Sequence, residues 1–185
     1  LVNIIKNEEQ EYNDEEKRAI KEGKEFLEKC QGIEKMKKMI SPDSRVEMKM
    51  VHVDGESLGT GIATAVIDAS VEELAVFSYH LVTRENKRTM KMYGISQMVE
   101  KCINNHSLYY ISTRDLGFFL NPREGRSKMT WMKEKDGKVV LDVSDTKDVM
   151  EEYPVKHGNV LVSAHSVWVF ESLEPIGEIH QTAVT

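Results

Sequence analysis

The sequence VLVSAHSVWVFESLEPIGEIHQTAVT, residues 160–185, decides the fold. Its first half alternates as a β-strand requires, with every second side chain on the same face. Proline and glycine at positions 175 and 177 supply a turn, and a β-branched run at residues 179–185 follows. The stretch predicts two antiparallel strands. The first presents a row of mostly small or apolar side chains, which another segment must cover. That row consists of Val160, Val162, Ala164, Ser166, Trp168 and Phe170.

Composition limits the classes of partner. The 185 residues carry a net charge of −6 with basic residues scattered among acidic ones, so nucleic acid is a poor partner. Cys30 and Cys102 are too few and too distant for a disulfide framework or a zinc site, and they predict a reducing, cytoplasmic compartment. The histidines show no metal-ligand spacing, so no metal or other cofactor is expected. The apolar runs are shorter than the ~20 residues of a spanning helix, which predicts no transmembrane segment.

The first part of the chain predicts a helix followed by two strands. Residues 8–39 are rich in Glu and Lys and contain no proline, which is typical of an amphipathic helix. Asn13 could equally cap a helix that begins later. Residues 46–52 and 62–69 alternate as strands, and Asp54-Gly55 is a hairpin signal between them.

A capping box marks the start of a second helix, because Ser70 is followed by Glu73 three residues on. We expect this helix to run from Val71 to about residue 84, and the basic stretch 84–91 to lead away from it. The inward side chains are expected to be Leu74, Phe77, Leu81 and either Tyr79 or His80.

The chain from residue 97 onward predicts an antiparallel meander. Residues 98–103 and 107–113 read as strands around an Asn104-Asn105 turn. Residues 128–133 and 138–144 read as a hairpin over Lys135-Asp136-Gly137. The element order is therefore helix, two strands, helix and about six antiparallel strands, within one domain that has an additional N-terminal arm.

Four segments carry a family resemblance, and they occur in the family's order. They are ATAVIDASVEELAVF (residues 63–77), NNHSLYYISTRDLGFFLNPREGRSKMTW (104–131), GNVLVSAHSVWVFESLEP (158–175) and HQTAVT (180–185). Together the segments make residues 45–185 similar to the START (StAR-related lipid transfer) domain, a member of the helix-grip superfamily that includes the major birch-pollen allergen. The resemblance implies an α+β helix-grip fold, in which a curved antiparallel β-sheet packs around helices.

The resemblance also implies a domain organisation, and the sequence differs from the family's pattern in two respects. Residues 1–40 would be an N-terminal helical segment and residues 41–185 a START-like domain, within a larger multidomain protein. The family's long C-terminal helix closes its cavity, and we expect this chain to end before it, which would leave an apolar groove open to water. The family's Pro-Arg-Asp is Pro122-Arg123-Glu124 here, and Met129 stands where the family often buries an arginine, which implies a drier cavity wall.

Strand alternation selects the residues that would line an internal cavity. The alternative is a plain packed core in which the same side chains fill the space themselves. Small residues beneath a helix, together with the resemblance, favour the cavity. The candidate ligand-binding residues are Tyr109, Ile111, Met129, Trp131, Leu141, Val143, Ala164, Ser166 and Trp168.

The functional hypothesis is a carrier or sensor of a lipid, sterol or other apolar small molecule, with a transient membrane contact. The alternative is a protein-interaction or regulatory module without a ligand. An enzyme is not expected, because Ser163, His165 and Asp142 form no nucleophile motif. Two neighbouring pairs, Arg114 with Asp115 and Arg123 with Glu124, are expected to form ion pairs at the rim.

Overall fold

A computed structural model describes residues 1–7, 9–52 and 59–185 of the chain. In these ranges there are four α-helices and ten β-strands. The helices are α1 (Val2–Asn7), α2 (Asp14–Gln31), α3 (Val71–Tyr79) and α4 (Arg84–Met92). The strands are β1 (Lys37–Lys38), β2 (Val46–His52), β3 (Gly59–Ile67), β4 (Ile95–Cys102), β5 (Ser107–Arg114), β6 (Arg123–Lys133), β7 (Val139–Asp145), β8 (Val160–Leu161), β9 (Ser166–Ile176) and β10 (Ile179–Val184).

All ten strands belong to one curved sheet with the order β1-β2-β3-β10-β9-β7-β6-β5-β4. Its neighbours are antiparallel, and β8 is added in parallel beside the start of β6. The predicted hairpins β4–β5 and β6–β7 are confirmed, and β2 pairs with β3 along its whole length. The Asp54-Gly55 signal lies outside the described residues. The α+β helix-grip architecture expected from the sequence is therefore confirmed.

Helices cover both faces of the sheet. On the first, which we call the α3 face, α3 contacts β7 and β9, and α1 contacts α3. On the opposite α2 face, α2 runs across β6, β7 and β9. Gly23 permits this close approach, because a Cβ atom there would lie 2.7 Å from Asp142 Oδ1 and 3.2 Å from Val167 Cγ2. The predicted packing of the helix from Val71 against the later strands is confirmed, while the longer helix lies on the other side of the sheet.

Two helix predictions need correction. The first helix starts at Asp14, where Asn13 is the N-cap and forms a capping box with Glu16. This agrees with the late-start alternative. The predicted helix 71–84 ends at Tyr79, since the Thr83 side chain accepts a hydrogen bond from the Asn86 backbone and starts α4, which the sequence interpretation missed.

The inward row of α3 also differs from the prediction. The buried residues are Val71, Ala75 and Tyr79, spaced four apart along one side of the helix. Phe77 is exposed and lies on the other side. The capping box of Ser70 and Glu73 forms as predicted. The helix therefore begins where the sequence indicates, and the predicted inward role is confirmed for Tyr79, Leu74 and Leu81 and wrong for Phe77.

The strand predicted from Val160 is divided into two parts. Residues 160–161 form β8 next to Arg123 and Glu124 of β6, and β9 begins only at Ser166. Between them the chain is irregular, and the Ala164 backbone N–H donates to Asp145 Oδ1 at 3.0 Å. The single alternating row is therefore wrong before Ser166. None of the helices in the described ranges combines the length and apolar character needed to cross a membrane.

Candidate ligand-binding site

The centre of the α3 face is a packed apolar core. Met129, Trp131 and Leu141 are buried there beneath α3 and Ile5 of α1. The Trp131 indole Nε1–H donates to the Asn105 carbonyl oxygen at 2.8 Å, which satisfies its one polar atom. The predicted burial of Trp131 is confirmed, and in this part of the face side chains fill the space themselves.

The α3 face opens toward the beginning of β9. Trp168 lies opposite Leu141, and Ser166 lies opposite Val143, so these residues share the face with the packed core. Both Trp168 and Ser166 are exposed, and Val143 is half-buried. The structure therefore brings six of the nine predicted residues onto one face, of which three are in the core and three are at its margin.

Three predicted residues lie elsewhere. Tyr109 pairs with Lys128 and Ile111 pairs with Arg126, so both point to the side of the sheet opposite the α3 face. The prediction that they line the same cavity as Met129 is wrong, because a shift of one residue in strand register reverses every side chain. Ala164 is exposed in the irregular segment before β9 and is not part of the sheet.

A pocket of about 350 Å³ that is open to solvent, called the cavity below, lies on the α3 face beside the core, between α1, the end of α3 and strands β4 and β5. Tyr79 is 2% exposed and lines it, and the Tyr79 hydroxyl has no hydrogen-bond partner among the described residues. A buried hydroxyl without a partner is unfavourable, and because this oxygen is enclosed, a ligand or water in the pocket would accept a hydrogen bond from it only after nearby side chains move. The lining residues are Leu1, Ile4, Tyr79, His80, Glu100, Cys102, Asn104, Asn105 and Leu108.

One wall of the cavity carries a carboxylate. Glu100 accepts a hydrogen bond from the Val82 backbone N–H at 2.8 Å, and His80 Nδ1 lies 3.4 Å away. Burial favours the neutral form of Glu100, but the hydrogen bonds from His80 and Val82 outweigh it and lower the pKa of the carboxyl. Burial raises the pKa of Tyr79, so its hydroxyl keeps its proton at neutral pH. The cavity thus combines a donor and a charged acceptor with apolar side chains.

Sequence interpretation missed most of the cavity lining. Tyr79 was considered as an inward residue of its helix, but not as part of a site. Leu108 and Tyr110 belong to the row that faces α3, while the prediction chose the alternate row with Tyr109 and Ile111. Each row of this strand contains one aliphatic residue and one tyrosine, so alternation alone does not identify the inward one.

Two further clefts differ from the cavity beside Tyr79 in their position and in their lining residues. A cleft of about 510 Å³ beside α4 is lined mainly by exposed residues, including Lys87, Lys91 and Asp115, and is unsuited to burying an apolar ligand. A cleft of about 250 Å³ lies between β3 and the start of β9, next to Thr185 and α2.

The His165–Asp142 pair lies on the α2 face, away from the cavity. His165 Nε2 lies 2.7 Å from Asp142 Oδ1, and the Phe26 ring of α2 stacks on the imidazole at 4.6 Å. Burial raises the pKa of Asp142. Ser163 donates to Asp145 rather than to His165, so the three residues considered for catalysis form no relay. Their contacts join α2 to the sheet.

Comparison with solved structures identifies the fold. The STAR-related lipid transfer protein (fragment 25-204) from Xanthomonas axonopodis superposes with a TM-score of 0.62 at 13% identity, over 81% of this chain and 80% of that chain. Human STARD10 gives a TM-score of 0.67 at 12% identity, over 98% and 69% of the two chains. Human StAR-related lipid transfer protein 5 gives a TM-score of 0.67 at 11% identity, over 94% of this chain and 81% of that chain. No family model and no curated protein matches the sequence. The chain therefore has the helix-grip fold of the START domains.

Proposed function

We propose that the protein binds a lipid or another apolar small molecule, such as a sterol, in the cavity beside Tyr79. The observation that carries this proposal is the pocket of about 350 Å³ that Tyr79 lines, beneath which the Tyr79 hydroxyl is buried without a partner among the described residues. That volume lies in the range of ~300–1,000 Å³ typical of small-molecule sites. The START-like neighbours, whose names refer to lipid transfer, support the same class of ligand.

Binding would depend on burial, with two polar groups that orient the ligand. Removing apolar surface from water contributes ~25 cal/mol per Å², and Leu108 with Ile4 supplies apolar wall. The Tyr79 hydroxyl can donate to a ligand oxygen, and the Glu100 carboxylate can accept from a ligand hydroxyl or amine. We therefore favour an apolar ligand with one polar end over a pure hydrocarbon. We propose a carrier or sensor role for such a pocket.

Native mass spectrometry after incubation with a lipid extract tests the proposal. We expect the wild-type chain to retain one ligand per molecule. Cys102→Trp should remove the retained mass, because Cys102 is exposed and lines the cavity, so that a larger ring there fills it. The matched control is Ile103→Trp, at the next residue outside the lining. Equal retention by the wild type and Cys102→Trp would refute the cavity as the site.

The interaction-module alternative is favoured by the cleft between β3 and β9. An extended polypeptide that entered this cleft could contact β3 and the start of β9, as in β-strand addition. Under this alternative the Cys102→Trp change should have no effect on partner binding.

We further propose a reducing compartment such as the cytoplasm, because Cys30 and Cys102 are both free thiols. We also propose transient contact with a membrane.

A further inference from the structure

The cleft of about 510 Å³ beside α4 lies along a free edge of the sheet. We call it the α4 groove. Its first wall is α4, which contributes Lys87 and Lys91, and its second wall is the beginning of β4, residues 95–98. Because β4 is the last strand in the sheet order and pairs with β5 alone, its outer side has no strand partner among the described residues.

The register of β4 shows which of its backbone groups point to this free edge. The Ile103 backbone N–H donates to the Ser107 carbonyl oxygen at 3.0 Å, and this pair sets the alternation along the two strands. The odd-numbered residues 97–103 therefore bond with β5, and the backbone groups of Met98 and Glu100 point outward. No other segment of the described chain supplies a backbone partner for these two residues. Such an edge can accept an added strand.

Contacts at both ends of α4 hold the helix beside this edge. At its start, the buried Asn86 amide donates to the carbonyl oxygens of Phe77 and His80 at 3.2 and 3.0 Å. Just after its end, the Gly94 carbonyl oxygen accepts from the Asp115 backbone N–H at 2.7 Å. Gly94 has φ 80°, and a Cβ atom there would lie 2.4 Å from the Asp115 carbonyl oxygen. The groove is therefore formed before a ligand enters, which lowers the cost of binding.

The helical wall of the groove carries unmatched positive charge. Lys87 and Lys91 are four residues apart, so they lie on the same side of α4, and both are exposed. Neither forms a salt bridge with a carboxylate of the described residues. Lys101 on the same β-strand wall of the molecule, by contrast, is paired with Glu152. In a chain with a net charge of −6, this local positive charge favours an acidic ligand.

One acid, Asp115, also lines the groove. Its Oδ1 accepts from the Gly117 backbone N–H at 2.9 Å, and the rim ion pair expected between Arg114 and Asp115 is not found in the described ranges. The rim pair expected at residues 123 and 124 does not form either, because Glu124 is buried and pairs with Arg126. The two lysines against one acid leave the α4 groove positive.

The spacing of the two lysines matches alternate residues of an added strand. Lys87 and Lys91 are separated by ~6 Å along the helix axis, at ~1.5 Å per residue. Alternate side chains of a strand point to the same face and lie ~6.6 Å apart. Residues 93–94 alone connect α4 to β4, which keeps the helix beside the strand. Two acids at alternate positions of an extended segment can therefore meet both lysines.

A second copy of this chain fits the edge less well. Pairing two β4 edges would bring two α4 helices toward each other, and each carries four basic residues against one acid, Glu85. Like charges across an interface repel. A phosphate ligand would match the lysines but would leave the outward backbone groups of Met98 and Glu100 unused.

We propose that the α4 groove binds an extended acidic segment of a partner protein, which adds to β4 as a further strand of the sheet. Two acids at alternate positions of the segment pair with Lys87 and Lys91, and its backbone bonds with Met98 and Glu100. The groove shares no lining residue with the cavity beside Tyr79, so this inference does not depend on lipid binding.

Fluorescence anisotropy with labelled, end-capped peptides tests the proposal on the intact 185-residue chain. We expect the alternating peptide Val-Glu-Val-Glu-Val-Glu to bind, and the same peptide with Lys in place of Glu to bind at least about tenfold more weakly. A peptide with the same side chains and a methyl group on every backbone nitrogen keeps its charge but has no N–H donors. It should also bind at least about tenfold more weakly, because it cannot add to the sheet.

The lysine variant tests the charge of the groove. Lys87→Gln with Lys91→Gln should weaken peptide binding roughly fivefold, as expected for the loss of two exposed ion pairs. The matched control is Lys17→Gln with Lys21→Gln, which makes the same change at the same spacing on α2. The control should bind the peptide as the wild type does, and both double variants should still retain a lipid in native mass spectrometry.

Met98→Pro tests the strand edge. Proline removes an N–H that does not bond with β5, and it is tolerated at such edge positions. Peptide binding should fall at least about tenfold, with little change in the thermal unfolding temperature. The matched control is Lys38→Pro on β1, at the opposite edge of the sheet, which should bind as the wild type does. There the neighbouring Met39 N–H bonds with the Met48 carbonyl oxygen, so the Lys38 N–H points outward.

Four results would overturn the proposal. They are a folded wild type that does not bind the Glu peptide, equally tight binding of the Lys or the N-methylated peptide, unchanged binding in the Lys87 and Lys91 variant, and a wild-type dimer that Met98→Pro converts to a monomer. The last result would assign the edge to a second copy of the chain. If Met98→Pro fails to fold, the N-methylated peptide still decides whether strand addition occurs.

Discussion

Trp168 and Phe170 lie side by side on the α3 face, with ring planes within 10° and centroids 6.5 Å apart, yet Trp168 is 42% exposed and Phe170 is 1% exposed. The boundary of the covered core therefore runs between two residues of the same strand row. Within this face α1 and α3 cover the centre.

This boundary predicts a difference between two truncations. Phe170→Ala should lower the free energy of unfolding by ~3–5 kcal/mol, because it leaves a cavity in the core. Trp168→Ala should lower the free energy of unfolding by clearly less, since part of the Trp168 ring is already in water. Urea unfolding followed by circular dichroism measures both. Equal losses would mean that Trp168 is covered in solution.

Trp131 should be as sensitive as Phe170. Trp131→Ala is expected to lower the free energy of unfolding by ~3–5 kcal/mol, since a large buried ring is removed. Trp131→Phe is the control, which keeps most of the apolar volume and loses the hydrogen bond to Asn105. A Trp131→Ala melting curve that coincides with the wild-type curve would place the ring on the surface.

The close approach of α2 to the sheet predicts the effect of Gly23→Ala. The added methyl would lie 2.7 Å from Asp142 Oδ1, a buried atom, so α2 must shift, at a cost of ~1–3 kcal/mol of stability. Gly32→Ala is the matched control at the end of the same helix, where the nearest atom is 3.5 Å away and φ is −74°. Similar thermal unfolding temperatures for the two variants would contradict the observed packing of α2.

The buried pair of Glu124 and Arg126 predicts an acid-sensitive contribution. Glu124→Gln should cost ~3–5 kcal/mol at neutral pH, because it leaves the Arg126 charge buried without its partner. Burial acts to raise the pKa of Glu124, but hydrogen bonds from Asn159 and Arg126 prevail and hold it below the usual 4.5. A lowered folded-state pKa stabilises the fold above pH 4.5, and that stabilisation is lost as the pH falls through the folded-state value.

The stability difference between the wild type and Glu124→Gln should therefore shrink below pH 4.5. Chemical unfolding at a series of pH values measures it. Glu152→Gln is the control, because its partner Lys101 is exposed and the pair should contribute little. A difference that stays constant down to pH 3 would mean that Glu124 is not charged in the folded protein.

The sequence predicts the element order and the two central hairpins well, because turn residues and alternation are local signals. It fails where tertiary contacts decide. In β5 each row has one aliphatic residue and one tyrosine, so the inward role of Leu108 instead of Tyr109 depends on the register with β6. The division of the strand before Ser166 depends on a hydrogen bond from Ala164 to Asp145, which no local pattern encodes.

The sequence predicts that a ligand cavity exists, but it does not predict which residues line it. Its strongest feature, the unpartnered Tyr79 hydroxyl, arises because α3 ends at Tyr79 and that helix end lies over β4 and β5. The helix end is fixed by the cap of the following helix at Thr83, whose signal was interpreted as an exit segment. The packed state of Met129 and Leu141 likewise depends on α1, which precedes the predicted helix 8–39 and which the sequence interpretation missed.

The most direct test of the account measures the alkylation rate of Cys102. Cys102 is exposed and lines the proposed cavity, whereas Cys30 is buried with its thiol pKa raised by burial and should react slowly. When a retained lipid saturates the chain, as judged by native mass spectrometry, the rate at Cys102 should fall at least about tenfold. An unchanged rate at Cys102 on a chain with one bound lipid would contradict the central claim that the ligand occupies the cavity beside Tyr79.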